Sequence, residues 1–149
     1  MDPESRRLLA SLIREERVAH LATLRAEAPM VSMTLYMAEP DFSAFYVHVS
    51  RLAWHTQDMQ QEARVALSIS ETDDRRADPF TLMRVSIRGD AAPISSGPKD
   101  AWLARFPQQA INFELADFSF WKIVPRDARF VAGFGRIHNL SARELQALG

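Results

Sequence analysis

The chain opens on a helical stripe and then changes to short runs of strand length. Leu8, Leu9, Leu12 and Ile13 recur at the spacing of one helix face. Asp2 and Pro3 ahead of them supply a capping carboxylate and a proline for the first turn, so a helix is expected from about Pro3 to Glu16. VAHLATL (18–24), MVSMTLYM (30–37) and FSAFYVHV (42–49) are each strand-sized, and the turn-like RAEAP and AEPD between them predict a three-stranded antiparallel meander. RVALSIS (64–70) is a further strand, and the polar ETDDRRADPF after it is a loop. LMRVSIRGDAAPI (82–94) alternates, with Met83, Val85 and Ile87 on one side and Arg84, Ser86 and Arg88 on the other. One face is buried and the other meets solvent or a ligand.

SSGPKDAWLARFP predicts a short helix carrying Trp102, Leu103 and Phe106. DFSFWKIV (117–124) is an aromatic strand expected to end at Pro125, and ARFVAGFGRI (128–137) is a last strand broken by glycines. Ser141 and Glu144 form a capping box for a terminal helical turn. These elements predict a mainly β fold: a closed or split barrel of six to seven antiparallel strands with peripheral helices, one domain over residues 1–149. No repeat, linker or low-complexity tract interrupts it.

Composition narrows the function more than the fold. The 149 residues are 47% hydrophobic and 25% charged, ordinary values for a soluble globular chain. A formal charge of −1 provides no basic field for a nucleic-acid backbone or an anionic membrane. With no cysteine, disulfides, thiolate metal sites and a cysteine nucleophile are excluded. The charged N-terminus lacks a secretory apolar segment and no run is long enough to span a bilayer, so a cytoplasmic, soluble protein is expected.

The candidate chemistry lies in VHVSRLAWHTQDM (47–59), where a strand passes into a helix through Ser50 and Arg51. Ser50 is placed to cap that helix, whose first N–H groups and positive dipole end attract anions. Arg51 adds a forked donor suited to phosphate oxygens, and Thr56 a hydroxyl one turn further on. The same residues also make a plain capped helix with a solvent-facing arginine, and the motif alone leaves both readings open.

The run of MVSMTLY, FYVHVSRLAWHTQDM, RVALSI, RVSIRGDA, FSFWKI and RFVAGFGRI resembles the FMN-binding split barrels related to pyridoxamine 5′-phosphate oxidase, over roughly residues 5–140. VSRLAWHTQDM and ARFVAGFGRIHNL look most like the haem-utilisation (HugZ-like) branch. The resemblance implies a homodimer with FMN at the subunit interface. Ser32, Met33 and Tyr36 would contact the isoalloxazine and ribityl parts, and Ser50, Arg51 and Thr56 would hold the phosphate with His55 near it. Arg84 is a further candidate for that site, and Trp121 for the flavin. Where the oxidase carries a lysine after its Ser-Arg this chain has Leu52, Tyr36 replaces a basic residue, and GRIHNL departs from the substrate-phosphate signature. Pyridoxamine phosphate is therefore not the expected substrate.

Two functions of different class follow. One is an FMN-dependent oxidoreductase acting on a small molecule; the other is a haem- or flavin-binding module of haem utilisation, with or without turnover. The four histidines lack ligand spacing for zinc. His20 and His48 read as ordinary strand positions, and His138 as a surface histidine or an axial haem ligand. GFG (133–135) lacks the third glycine and the βαβ setting of a dinucleotide loop, so it reads as a bend. Trp54 and Trp102 read as core or dimer-interface residues.

Overall fold

The computed structural model describes residues 1–149. Helix α1 spans Pro3–Glu15, and the Asp2 carboxylate accepts the Ser5 N–H at 2.9 Å as its cap. That bond, which favours the ionised form, and nearby Arg136 hold the Asp2 carboxyl down to about 2. The strands are β1 (Val18–Arg25), β2 (Ala28–Leu35), β3 (Met37–Ala38), β4 (Phe45–Ser50), β5 (Arg64–Ser70), β6 (Arg84–Pro93), β7 (Phe118–Val131) and β8 (Ile137–Ser141). Helices α2 (Trp54–Gln61), α3 (Lys99–Arg105) and α4 (Ala142–Gln146) and two 3₁₀ segments (79–81 and 107–114) complete the chain.

All strands join one curled antiparallel sheet in the order β2-β1-β5-β6-β7-β4-β3, with β8 beside β7. This is the mainly β half-barrel with peripheral helices that the patterning predicts. Alternate side chains point inward: Leu21, Leu67, Ile87, Ile123 and Phe130 are fully buried with Leu9 and Ile13 of α1. Each such side chain contributes roughly 1.5–3 kcal/mol of transfer free energy.

Three expectations are corrected. The first three strands do not form a meander: β1 pairs with β2, but β4 pairs with β7 and with the two-residue β3. The path breaks at Tyr36, which turns under α1 and donates its hydroxyl to the Ile13 carbonyl at 2.7 Å. Pro125 does not end its strand, because β7 changes outer neighbour there. It pairs with β4 up to Ile123 and with β8 from Asp127, so the residue without an N–H falls in the gap. On the other side the β6 register shifts between Arg88 and Gly89; a Cβ at Gly89 would lie 2.6 Å from the Val124 carbonyl oxygen, so the close approach needs glycine. Residues 132–136 form a hairpin loop between β7 and β8, with Gly133 and Gly135 at φ +118° and +75°. The bend is there, but as a turn between two strands.

The sheet's outer surface divides in two. Over β4 and β7, the segment 94–118 lays Trp102, Phe106 and Phe113 on Tyr46, His48 and Phe120. Over β1, β5 and β6 nothing covers it.

Candidate functional site

The strand-to-helix passage is built differently from its expected form. Ser50 is the last residue of β4, and a turn at residues 51–53 separates it from α2, whose N-cap is Ala53 with no side-chain bond. The Ser50 hydroxyl donates to the Asp117 carboxylate at 2.6 Å and accepts the Leu52 N–H at 3.1 Å. Ser50 thus joins β4 to the start of β7 and does not cap the helix. α2 is held from its other side: Asp58, almost wholly buried, accepts from the Thr23 hydroxyl at 2.7 Å and the Arg25 guanidinium at 2.8 Å. The Arg25 guanidinium also stacks on Trp54, 3.9 Å from the ring centroid. Trp54, expected in a core or interface, is 55% exposed in this chain.

Beside this turn is a cavity of about 410 Å³ lined by Arg51, Thr56, Met59, Gln60, Asp117 and Trp121, among others. Arg51 is exposed and makes no side-chain hydrogen bond or ion pair within the chain. Thr56 is 1% exposed and its hydroxyl has no partner, an arrangement that costs roughly 1–3 kcal/mol unless something arrives to bond it. Trp121 forms a buried apolar wall. The Asp117 carboxylate also lines the cavity and repels an anion there, although one of its oxygens accepts from Ser50.

Of the nine candidate residues this cavity brings together Arg51, Thr56 and Trp121, with Ser50 attached through Asp117. The other five lie elsewhere. His55 does not line the cavity, and burial lowers its pKa, partly offset by Asp58. Tyr36 is fully buried, which drives its phenol well above the usual range. Arg84 is at the far end of β6, donating to the Phe80 and Leu82 carbonyls at 3.1 and 2.9 Å. Seven residues of strand, roughly 23 Å, separate it from Ala91 at the cavity, so it is not a phosphate ligand there within one chain. Ser32 pairs with inward Leu21 and Met33 with outward His20, so the two side chains point to opposite faces. Gln60 and Asp117 had no motif to mark them.

The uncovered outer face carries a second cavity, of about 500 Å³. It is lined by the small Ala22, Ala66 and Gly89, by Arg64, Arg88 and Arg126, and by the Asp127 carboxylate. Each arginine already meets a carboxylate: Arg64 pairs with Glu62, Arg88 with Asp127 at 2.5 Å and Arg126 with Asp90 at 2.5 Å. Such exposed pairs are weak, and every guanidinium keeps donors to spare. β1 and β2 continue the face with Val31 and Met33, 59% and 61% exposed.

A sequence profile of the pyridoxamine 5′-phosphate oxidase family matches residues 6–132. The chain belongs to that family. Among its relatives is the chloroplastic heme oxygenase HOZ of Arabidopsis thaliana, 32% identical over 109 residues, 70% of this chain. The match covers only 32% of the length of that protein. Heme oxygenase HutZ of Vibrio cholerae is 22% identical over 140 residues, 88% of this chain and 78% of HutZ. In structure, a heme binding protein from Mycobacterium smegmatis superposes with a TM-score of 0.84 at 23% identity, over 99% of this chain and 62% of that one. Within the family the chain therefore lies beside proteins named for haem, as the VSRLAWHTQDM and VAGFGRIHNL resemblance implies. No helix is long and apolar enough to cross a membrane.

Proposed function

We propose that this family member binds haem on the open outer face of its sheet and serves haem utilisation, with oxidative haem breakdown as the activity. One observation carries the reading: a cavity of about 500 Å³ lined by small Ala22, Ala66 and Gly89, apolar Leu24 and Pro29, and Arg64, Arg88 and Arg126 beside Asp127, on a face that also exposes Val31 and Met33. A flat apolar ring bearing two carboxylates matches that distribution, and pockets of this size take ligands of that class. The relatedness to HOZ and HutZ supports it. Haem iron would supply the one-electron and oxygen chemistry, and the chain's own residues the binding and orientation. The exposed Val18, Val31 and Met33 give a second copy of the chain an apolar surface, and the proposal includes a homodimer with the ligand site at its interface.

A second reading, FMN, is favoured by the unbonded Thr56 hydroxyl beside the unpaired Arg51. These two groups would hold a phosphate, and Trp121 would wall the flavin; the chemistry would be electron transfer to a small molecule. One experiment separates the readings. The purified protein's visible spectrum is recorded, then haemin and FMN are titrated in turn. A Soret band that saturates at one haem per chain supports the first reading. Flavin bands, or binding of FMN and not haemin, replace it with the second.

A further inference from the structure

The cavity between α2 and the paired ends of β6 and β7 shares no lining residue with the one on the open face. We propose that it is a second ligand site, for an aromatic α-amino acid, and this inference stands apart from the haem reading. Its floor is apolar: Met59 of α2, Ala91 of β6 and Trp121 of β7 line it and are almost wholly buried. Its mouth carries one charge of each sign, Arg51 and Asp117. The Arg51 backbone N–H donates to the Asp117 carbonyl at 2.7 Å, so the two residues are neighbours. Their side chains nevertheless do not close into an ion pair, as Arg88 does with Asp127 and Arg126 with Asp90. The Asp117 carboxylate accepts from Ser50 through one oxygen, and its other oxygen has no partner in the chain.

A cation and a carboxylate held side by side but apart match a ligand head that carries both charges. A ligand carboxylate meets the Arg51 guanidinium, and a ligand ammonium meets the free Asp117 oxygen. An anion alone would satisfy Arg51 and be repelled by Asp117, and an amine alone would meet the reverse. A flavin phosphate brings no cation for Asp117. The body of the ligand must be apolar to lie on Met59, Ala91 and Trp121, and a flat ring gains most against the Trp121 indole. A cavity of about 410 Å³ has room for such a molecule. Thr56 adds one polar demand at depth. It lines the cavity, is 1% exposed, and its hydroxyl has no partner. Threonine in a helix has two χ1 states open to it, so the hydroxyl can turn to a ligand atom. A hydroxyl or N–H at the far end of the ring supplies that atom, which favours tyrosine over phenylalanine.

The test is calorimetric titration of the full chain with L-tyrosine, L-phenylalanine, tyramine, which lacks the carboxylate, and desaminotyrosine, which lacks the amine. Tyrosine should bind and the other three more weakly, the two truncated heads by roughly tenfold or more. Arg51→Ala should remove the advantage of tyrosine over tyramine, Asp117→Asn its advantage over desaminotyrosine, and Thr56→Val its advantage over phenylalanine. Arg51 is exposed and Thr56→Val deletes an unbonded buried hydroxyl, so neither variant should lower the thermal unfolding midpoint. No binding of tyrosine at millimolar concentration, or equal binding of all four compounds, would overturn the proposal. FMN binding that Arg51→Ala abolishes and tyrosine does not displace would also overturn it, and would give the cavity to the flavin reading.

Discussion

The outer surface of this sheet takes two forms a few strands apart. Over β4 and β7 it carries Tyr46, His48 and Phe120, and the chain returns to bury them under Trp102, Phe106 and Phe113. Over β1, β5 and β6 it carries Ala22, Ala66, Ser68 and Ser86 between histidine and arginine, and nothing returns. The difference is one of size and polarity. Aromatic rings bury enough surface to order a 25-residue cover, whereas small side chains and charges cannot repay that entropy. The covered half is a second core, and the open half is free to bind.

That contrast can be broken most sharply from the covered side. Trp102→Ala removes the ring that joins His48, Phe106 and Phe120 and should cost about 3–5 kcal/mol in denaturant unfolding. A loss below about 1 kcal/mol would mean that the cover is not packed as a core. The next effect is a pH dependence. Burial holds the His48 imidazole below its ordinary value, so the unfolded chain takes up a proton first as pH falls. The stabilisation is complete above the unfolded value near 6.5 and is lost as pH drops toward the folded one. The urea midpoint should fall over that window, and His48→Phe should make the curve shallower, leaving the part that comes from His55, whose pKa burial also lowers. The smallest effect on stability is expected from the open side. Ala66→Leu adds bulk to an uncovered floor and should change unfolding by no more than about 0.5 kcal/mol while blocking haemin. Stability lost there, with binding kept, would reverse the roles of the two faces.

Much of the architecture was legible because it is locally encoded. Asp2-Pro3 caps α1, RVALSIS is β5 residue for residue, and Ser141 with Glu144 closes the capping box. The alternation of β6 correctly separates buried Val85 and Ile87 from exposed Ser86 and Arg88. Ser50 misled because its cap geometry depends on a distant carboxylate: Asp117, 67 residues on, takes the hydroxyl, and the helix starts after a turn. Pro125 misled for a similar reason, since whether a strand tolerates proline depends on which neighbour it has there. The Arg51, Thr56 and Trp121 grouping was partly visible, but no local signal marks Thr56 as a hydroxyl left without a partner.

The sequence by itself determined most of the strand and helix segments and the barrel class, through periodicity and caps in short windows; its lack of cysteine excluded thiol chemistry, and its motifs carried the family resemblance. Only the tertiary structure decided that β4 pairs with β7, that one half of the outer sheet is covered and the other bare, and that His20 falls in one row with Met33, Ser68 and Ser86 across four strands. The physical reason is that residues 20, 68 and 86 become neighbours through register, and register is set by which faces are buried across the whole sheet.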